Sequence, residues 1–503
     1  MFLWSVLMPP PPPGGWSVPL IWAALLAVLV RRLAPRGRRP ERRHLRGPKP
    51  ARSILIARAG ETLAALRSWR PHYVRRPRIR VGHVRLAPGL EPYHLLITGS
   101  PGSGKSSVIE ALLRTLRRRG DRAIVFDLGG ETWAALARAG DRLLNPLDTR
   151  SVAWSPFAEM RSGHDAARLA RSLVPAGHGE GQEWHHYAQT LLTAVLERLW
   201  TRGERTNGRL LDLLLRAPDG DLRTLTAGTP AARFFAPGAE RMAASVRAIL
   251  GSYLPALSAL DPQSGGDAFG CGSWVRSGEG SGWLFLTVRD DTFTLLRPLV
   301  SSWIDLLIGE ALAQRPDPRR RLWFILDEFD SLGAIPSLLD ALTKGRKYGL
   351  ALVAGLQSVA QLERRYGHDG ARVILACFAT KVFLRSSDVA TAEYASRQLG
   401  ERECLVTEIS RGRGGRSRAR RLQRESLVLA GEIAGLADRR GWIQRPGPVR
   451  PVRVRVRPPR RAATEEPFLP RATSAPDPEV FPSATGPDPF LSCPEEGSPP
   501  CST

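Results

Sequence analysis

Cysteine is scarce in this sequence, and the few cysteines are not spaced as cysteine-built sites require. Five occur in 503 residues, at Cys271, Cys377, Cys404, Cys493 and Cys501, and no two of them stand in C-x-x-C spacing. Neither a zinc site nor a disulfide framework is therefore indicated. A catalytic body that works in a reducing, cytosolic compartment fits this pattern best.

Histidine also lacks the spacing of metal ligands. His164, His178, His185 and His186 fall within one region of the chain, but their spacing does not place two ligands on a single helix face. We interpret these histidines as surface or helix-packing residues.

Acidic side chains are few relative to basic ones. The chain has 48 Asp and Glu against 73 Lys and Arg, mostly arginine, which gives a formal net charge of +25. Such an excess indicates a polyanionic partner, either nucleic acid or an anionic membrane surface. A GC-rich genome is a further explanation for an arginine-rich composition, so charge alone does not choose between these explanations.

Charged side chains are absent from residues 2–30. Residues 16–30 are almost continuously apolar, and Arg31, Arg32 and Arg36 follow them. A cleaved signal peptide would need positive charge before the apolar segment and a small-residue cleavage site after it, and both are missing. The pattern predicts a membrane anchor with one clear span, whose C-terminal side faces the cytoplasm.

The most informative motif lies at residues 99–106, which match G-x-x-x-x-G-K-[ST] in full between an apolar strand pattern and an amphipathic helix pattern. Glycines let backbone N–H groups wrap a triphosphate, and the helix N-terminus adds partial positive charge. Lys105 is expected to reach the β- and γ-phosphates of ATP, and the Ser106 hydroxyl to bind Mg²⁺. The alternative, a chance glycine turn, does not explain the complete strand–loop–helix order. The predicted nucleotide-binding residues are Gly99, Ser100, Pro101, Gly102, Ser103, Gly104, Lys105, Ser106 and Ser107.

A second motif closes the apolar run at residues 322–326 with Asp327 and Glu328. Asp327 is predicted to hold Mg²⁺ through its water shell, and Glu328 to act as the general base on the attacking water. An apolar strand that ends in acids is common by itself. About 220 residues after a phosphate loop, it indicates nucleotide hydrolysis.

Two further residues follow in the order that an oligomeric motor needs. Gln357 ends the apolar run at residues 350–356 and could sense the γ-phosphate, or could be an ordinary polar strand end. Arg346 stands in the basic loop at residues 343–349 and could enter a neighbouring subunit's site as a finger. A solvated basic turn is the alternative for Arg346, and the chemistry alone leaves both interpretations open.

The order of patterns along the chain predicts a doubly wound α/β fold interrupted by helices. The phosphate loop, its helix and a strand at residues 122–127 form a βαβ unit, whose ligand is expected at the carboxyl ends of the strands. Residues 400–424 are strongly basic, and could track a phosphate backbone or form a mobile loop. The predicted segments are an anchor with its basic flank (1–43), a linker or stem helix (44–75), a nucleotide-binding domain in two parts (76–157 and 283–457), an all-alpha domain (158–282) and a disordered Pro-rich tail (458–503).

Together these motifs resemble the coupling proteins of conjugative type IV secretion systems, the TraD/TraG-like membrane-anchored ATPases, over roughly residues 75–450. Besides the two nucleotide motifs, the matching segments in the family's order are NPLD (145–148), WSPF (154–157), the helical insertion, LLRPL (295–299), DALTKGRK (340–347) and AGLQS (354–358).

The resemblance implies a RecA-like hexameric ring with a central, mostly parallel sheet, an all-alpha domain and a stem in the inner membrane beside the secretion channel. Its catalytic body would lie in the cytoplasm, receive relaxase-bound single-stranded DNA and drive it outward by ATP hydrolysis with Mg²⁺. In this family's terms Gln357 matches the γ-phosphate-sensing position and Arg346 the finger that acts in trans. Two features depart from the family: Leu128 follows Asp127 where Asp-Pro is common, and only one membrane span is clear instead of two.

The leading hypothesis is therefore an ATP-driven DNA translocase. A nucleotide-switched scaffold that recruits relaxase or effector proteins without pumping DNA is the alternative, although Asp327 and Glu328 together favour hydrolysis. A chromosome-segregation or DNA-packaging motor would share the phosphate loop. The large helical insertion and the lack of a recognisable C-terminal DNA-reading domain make that third interpretation weaker.

Overall fold

The computed structural model describes residues 41–46, 77–177, 181–278, 280, 282–412, 415–447, 449–458 and 463–471. The apolar segment of the predicted anchor, the predicted stem helix and most of the Pro-rich tail lie outside these ranges. In the described ranges no helix has the length and apolar character needed to cross a membrane.

The strands fall into one large sheet and two small ones. In chain order they are β1 (Glu41–Arg46), β2 (Arg80–Val81), β3 (Val84–Arg85), β4 (Leu95–Thr98), β5 (Arg122–Leu128), β6 (Arg142–Leu144), β7 (Leu284–Val288), β8 (Leu322–Leu326), β9 (Leu350–Leu356), β10 (Thr380–Phe383), β11 (Glu401–Gly412), β12 (Gly415–Ser426), β13 (Arg440–Gln444) and β14 (Val452–Arg455).

The α-helices lie between the strands in the sequence, and several of them fall in the long interval between β6 and β7. They are α1 (Lys105–Arg119), α2 (Glu131–Leu136), α3 (Ala166–Leu173), α4 (Gln182–Arg202), α5 (Asn207–Leu211), α6 (Asp219–Thr226), α7 (Glu240–Tyr253), α8 (Cys271–Ser277), α9 (Phe293–Ala313), α10 (Leu338–Lys344), α11 (Val359–Cys377), α12 (Val389–Leu399) and α13 (Ala430–Ala434).

The large sheet has nine strands in the order β14-β13-β10-β4-β9-β8-β5-β7-β6. The pairs from β10 to β6 are all parallel, and the β10–β13 and β13–β14 pairs are antiparallel. Every residue of β4, β7, β8 and β9 is buried, as expected for parallel strands covered on both faces. The predicted α/β fold with a mostly parallel central sheet is confirmed.

Two apolar cores cover the two faces of this sheet. One contains the buried side of α1, including Leu112 and Leu116, together with Ile97 and Val353. The other joins Leu96 and the alternate side chains of the strands to the helices between β6 and β7. Alternation along each strand therefore divides its side chains between two different helical layers.

The described residues between β6 and β7 contain helices and no strand. Helical periodicity in the sequence predicts helices at 164–173, 184–200, 210–215 and 239–250. The first, second and fourth appear as α3, α4 and α7, and the pattern at 210–215 is divided between α5 and a π-helical turn at Asp212–Arg216. Their buried side chains share a core with the sheet. The domain boundaries at 158 and 282 stay predictions.

Alternation of apolar and polar residues at 79–86 predicts a single strand, but the structure has the hairpin of β2 and β3 there. Gly82 lies in the turn with φ +60°, and a Cβ there would come within 2.6 Å of the Arg455 carbonyl oxygen. Alternation holds within each arm, since Ile79 and Val81 are buried before the turn and Val84 and Leu86 after it. The positive φ of Gly82 allows the turn, and its close approach to β14 leaves no room for a side chain.

The basic run at residues 400–424 forms the long hairpin of β11 and β12, and β1 pairs with its β11 edge. The outermost described pair of this hairpin is Gly412 with Gly415.

Residues 463–471 differ from the predicted disorder of the tail. The Thr464 N–H donates to the Ala134 carbonyl at 2.8 Å, and the Arg471 N–H donates to the Leu147 carbonyl at 2.8 Å. Composition without periodicity indicates disorder because it offers no apolar face to bury. Here the segment is held through its backbone, which such a pattern does not reveal.

His94 connects three elements at the amino edge of the large sheet. Its backbone is left-handed, with φ 63°, and its side chain is buried. The Leu352 N–H donates to Nδ1 at 3.1 Å, so the proton lies on Nε2, which donates to the Leu342 carbonyl at 3.1 Å. Burial lowers the pKa of His94 to about 4, and the bond to Leu342 opposes this shift.

The neutral form of His94 should make stability depend on pH. Because the folded-state pKa lies below the ordinary value of 6.5, the stabilisation is complete above pH 6.5 and is lost as the pH falls toward 4. The loss should approach about 3 kcal/mol, at ~1.4 kcal/mol per pKa unit. We expect the melting temperature of the unsubstituted protein to fall more over this window than that of His94→Asn.

Asparagine keeps a hydrogen-bonding amide at this position and does not titrate over this range. The exposed His83 offers a matched control, because His83→Asn should follow the unsubstituted protein at every pH. Equal pH dependence in all three proteins would contradict the assignment to His94.

Candidate nucleotide-binding and hydrolysis site

The loop at residues 99–104 carries the chain from β4 to α1 through two glycines with positive φ. Gly102 has φ +73° and Gly104 has φ +107°, which are conformations that L side chains rarely adopt. Gly104 precedes Lys105, the first residue of α1, so backbone N–H groups of the loop and the helix start lie together. This is the backbone shape that binds phosphate oxygens.

The loop is anchored to the segment that follows the neighbouring strand β10. The Ser100 N–H donates to the Arg385 carbonyl at 2.8 Å, and the Ser387 N–H donates to the Ser100 Oγ at 2.8 Å. A Cβ on Gly99 would lie 2.4 Å from the Ser103 Oγ, so no side chain fits there without rearrangement. The loop is thus preorganised by its own small residues and by the chain that follows β10.

Lys105 and Ser106 place a cation and a hydroxyl at the start of α1. The Lys105 side chain is buried, and its ammonium donates to the Gly99 carbonyl at 2.9 Å. The Ser106 hydroxyl donates to the Asp327 Oδ2 at 3.0 Å. The phosphate loop and the acidic end of β8 are therefore adjacent, although 221 residues separate them in sequence.

Asp327 has the features of a ligand for a hard cation. Among the described residues, no group hydrogen-bonds to its buried Oδ1. Burial raises the pKa of Asp327, and the Lys105 charge opposes this shift. A carboxylate beside a serine hydroxyl is an oxygen donor set that suits Mg²⁺, and the ion's charge would favour the ionised form. The residues therefore fit the predicted metal.

Glu328 and Gln357 meet at the carboxyl ends of adjacent strands β8 and β9. The Gln357 Nε2 donates to the Glu328 Oε2. Glu328 has φ 61°, an unusual left-handed backbone for a non-glycine residue, and such strain concentrates at functional positions. Burial raises the pKa of Glu328, which suits a carboxylate that must accept a proton near neutral pH.

Asp330 holds this corner together and was not predicted. Its Oδ2 accepts hydrogen bonds from the backbone N–H groups of Gln357 and Ser358, both at 3.0 Å. It therefore fixes the turn that presents the Gln357 side chain to Glu328. The only sequence signal is its position, three residues after Asp327, and nothing in that spacing distinguishes it from a solvated acid.

Arg346 lies at the other end of β9 from this cluster. The seven residues of β9 separate it from Gln357, a rise of about 20 Å at ~3.3 Å per residue. The structure therefore does not bring Arg346 to the site of its own chain. The predicted role in trans stays a prediction, and so does the alternative of a solvated basic turn.

Asp127 serves the backbone that leaves β5. Its buried carboxylate accepts a hydrogen bond from the Trp133 N–H at 2.8 Å. Burial raises its pKa to about 6, and hydrogen bonds from residues Trp133 and Thr132 oppose the shift. The residue at the departure from the family's Asp-Pro pattern thus has a local role in starting α2.

Comparison with known proteins gives matches along most of the chain. A family model described as the type IV secretion-system coupling protein DNA-binding domain matches residues 78–457. The coupling protein TraD of Escherichia coli (strain K12) is 32% identical over 404 residues, which cover 78% of this chain and 56% of TraD.

Solved structures of the coupling protein TrwB share the fold. The unbound monoclinic form of TrwBΔN70 has a TM-score of 0.76 at 33% identity, covering 86% of this chain and 97% of that one. TrwB in complex with ADP and Mg²⁺ has a TM-score of 0.74 at 33% identity, covering 86% and 99%. The chain spans just over half the length of the curated relatives TraD and TraG that it matches.

Gly355 leaves the space that the Asp327 carboxylate occupies. A Cβ on Gly355 would lie 2.6 Å from the Asp327 Oδ1, so Gly355→Ala should displace that carboxylate without backbone strain. We expect the apparent affinity for Mg²⁺, measured through nucleotide binding, to fall about ten- to hundredfold. This is the usual range when a residue that supports a metal ligand is changed. A Mg²⁺ titration of fluorescent-nucleotide binding measures this effect.

Gly309→Ala is the matched control, because Gly309 lies in α9 and a Cβ added there would meet nothing within 4 Å. An unchanged Mg²⁺ titration in Gly355→Ala would show that Asp327 is not held by this contact or does not bind the ion.

Proposed function

The chain belongs to the type IV secretion-system coupling protein family, and we propose that it hydrolyses ATP to move single-stranded DNA toward a conjugative secretion channel. The observation that carries this proposal is the convergence of Lys105, Ser106, Asp327, Glu328 and Gln357 at one edge of the sheet. TrwB, which shares the fold, was solved with ADP and Mg²⁺ and with a non-hydrolysable ATP analogue.

Each residue of this cluster has a separate task in hydrolysis. The loop N–H groups and Lys105 would bind the phosphates, and Ser106 and Asp327 would hold Mg²⁺, which would supply positive charge against the negative charge that develops during hydrolysis. Glu328 accepts a proton from the attacking water, and Gln357, which donates to Glu328, holds that carboxylate in place and keeps its predicted role as the sensor of the γ-phosphate.

The placement of Arg346 supports an oligomer. Its guanidinium is exposed at the amino edge of the sheet, far from the nucleotide of its own chain. In a closed ring of six subunits this edge would face the next subunit's nucleotide, where an arginine stabilises transition-state charge. The assembly is therefore proposed to be a homo-hexamer with shared sites.

We further propose the setting that the family implies. The predicted anchor places the protein in the bacterial inner membrane with its catalytic body in the cytoplasm, where relaxase and the channel components are its partners. The scaffold hypothesis, recruitment without pumping, remains the alternative. Retention of a carboxylate base at Glu328 favours turnover, because a binding switch does not need one.

Hydrolysis should respond to DNA and depend on both motifs. In the full chain, single-stranded DNA should stimulate ATP turnover. Lys105→Ala should abolish turnover and nucleotide binding, whereas Glu328→Gln should keep binding and lose about 10²- to 10⁴-fold in kcat. Phosphate release and equilibrium nucleotide binding measure these effects.

Glu363→Gln is the matched control for Glu328→Gln, because Glu363 lies on α11 with His368 as its partner. Turnover that ignores DNA and responds to relaxase would favour the scaffold. Turnover that survives Glu328→Gln would remove Glu328 from the mechanism.

The β11–β12 hairpin offers a surface for a phosphate backbone. Arg418, Arg420 and Arg421 are exposed, and none of them forms an ion pair with a side chain in the described ranges. Replacing all three by Ala should weaken single-stranded DNA binding equally for all sequences. It should also lower the salt slope, the change of log K with log salt, by about 2, at ~0.7 per phosphate contact.

Three arginines of the helical region give a matched control, since their guanidinium groups already bond Ala227, Glu204 and Asp212. Replacing Arg198, Arg209 and Arg216 removes the same charge and should leave the salt slope unchanged. Equal effects of the two triple variants would indicate net charge instead of a specific surface.

A further inference from the structure

Arg346 stacks on an aromatic ring of its own chain. Its Cζ lies 4.4 Å from the centroid of the Tyr93 ring. We propose that Tyr93 is a positioning residue that holds the Arg346 guanidinium ready for the nucleotide site of the next subunit. This inference rests on the proposed role of Arg346 in trans.

The stacking leaves the hydrogen-bonding edge of the guanidinium available. An aromatic ring engages the flat face of the cation, whereas phosphate oxygens are bound by the N–H groups in its plane. Within the described part of the chain, Arg346 makes no ion pair and no side-chain hydrogen bond. Its orientation is therefore restrained by a contact that does not compete with an anion.

The ring itself sits on a rigid base. The Tyr93 carbonyl accepts a hydrogen bond from the Ala379 N–H at 2.9 Å. The next residue, His94, bonds Leu342 and Leu352, which flank the turn that carries Arg346 on both sides. The two partners of the stack are thus connected to each other through buried hydrogen bonds.

The contact uses the ring and not the hydroxyl of Tyr93. No described group hydrogen-bonds to that hydroxyl, and the side chain is 36% exposed at the rim of the fold. Phenylalanine should therefore replace tyrosine with little effect, whereas alanine removes the restraint. For an exposed cation–π contact the expected cost is about two- to fivefold in kcat.

Subunit mixing tests the base of the proposal first. Arg346→Ala subunits keep an intact nucleotide site, and Lys105→Ala subunits keep an intact finger. When the two variants assemble together, Arg346 of a Lys105→Ala subunit should reach the nucleotide site of a neighbouring Arg346→Ala subunit. Turnover of the mixture should then exceed that of either variant alone. Absence of recovery would overturn the role in trans, and the inference with it.

The same mixture then isolates Tyr93. Tyr93→Ala added to the Lys105→Ala subunit, which donates the finger, should lower the recovered kcat about two- to fivefold and leave the KM for ATP unchanged. Tyr93→Ala added to the Arg346→Ala subunit should have no effect. Tyr93→Phe in the donor should retain the parent kcat.

Each remaining outcome decides against the positioning role. Equal recovery with and without Tyr93 in the donor would overturn it while leaving Arg346 in place. Equal loss in donor and acceptor would indicate a general structural defect and would also overturn it.

Lys347→Ala in the donor is the matched control, because it removes a neighbouring exposed charge that does not lie over the ring. The mixture that contains it should match the parent mixture.

Discussion

The arrangement of the site depends on burying several carboxylates around one buried ammonium. Asp327, Glu328 and Asp330 lie beside Lys105, and burial raises the pKa of all three acids. Buried charges without partners are costly, so each carboxylate is compensated separately: Asp327 by Ser106, Glu328 by Gln357 and Asp330 by two backbone N–H groups. Mg²⁺ bound between Ser106 and Asp327 would add positive charge beside these carboxylates.

The parallel sheet makes this compensation possible. Because β4, β8 and β9 are adjacent and parallel, the phosphate loop, the acidic pair and Gln357 all leave the sheet at the same edge. The same geometry sends the start of β9 to the opposite edge, where Arg346 stacks on Tyr93. One strand therefore connects the chain's own nucleotide site to the surface proposed to serve its neighbour, and His94 fixes that second surface through Leu342 and Leu352.

Charge is arranged differently over the rest of the molecule. Many arginines of the core are satisfied by carboxylates, as Arg119 is by Glu91 and Asp121, and these contribute to the fold instead of to a partner. Arg418, Arg420 and Arg421 of the β11–β12 hairpin are exposed and lack such partners among the described side chains, unlike Arg424, which pairs with Glu401 and Glu403. Net charge alone does not separate these two populations, which is why composition left the nature of the polyanion open.

The sequence by itself determined what depends on local pattern. The phosphate loop, the buried strands that end at Asp327 and Gln357, the helical periods and the mostly parallel sheet follow from spacing and alternation. The tertiary structure alone decided what depends on contacts between distant residues. Asp330 supports Gln357, Gly355 makes room for Asp327, and residues 463–471 form backbone hydrogen bonds with Ala134 and Leu147. Neither composition nor periodicity predicts any of these contacts. The sequence identifies Arg346 as a candidate, but only the direction of β9 in the sheet shows that it lies far from the nucleotide site of its own chain.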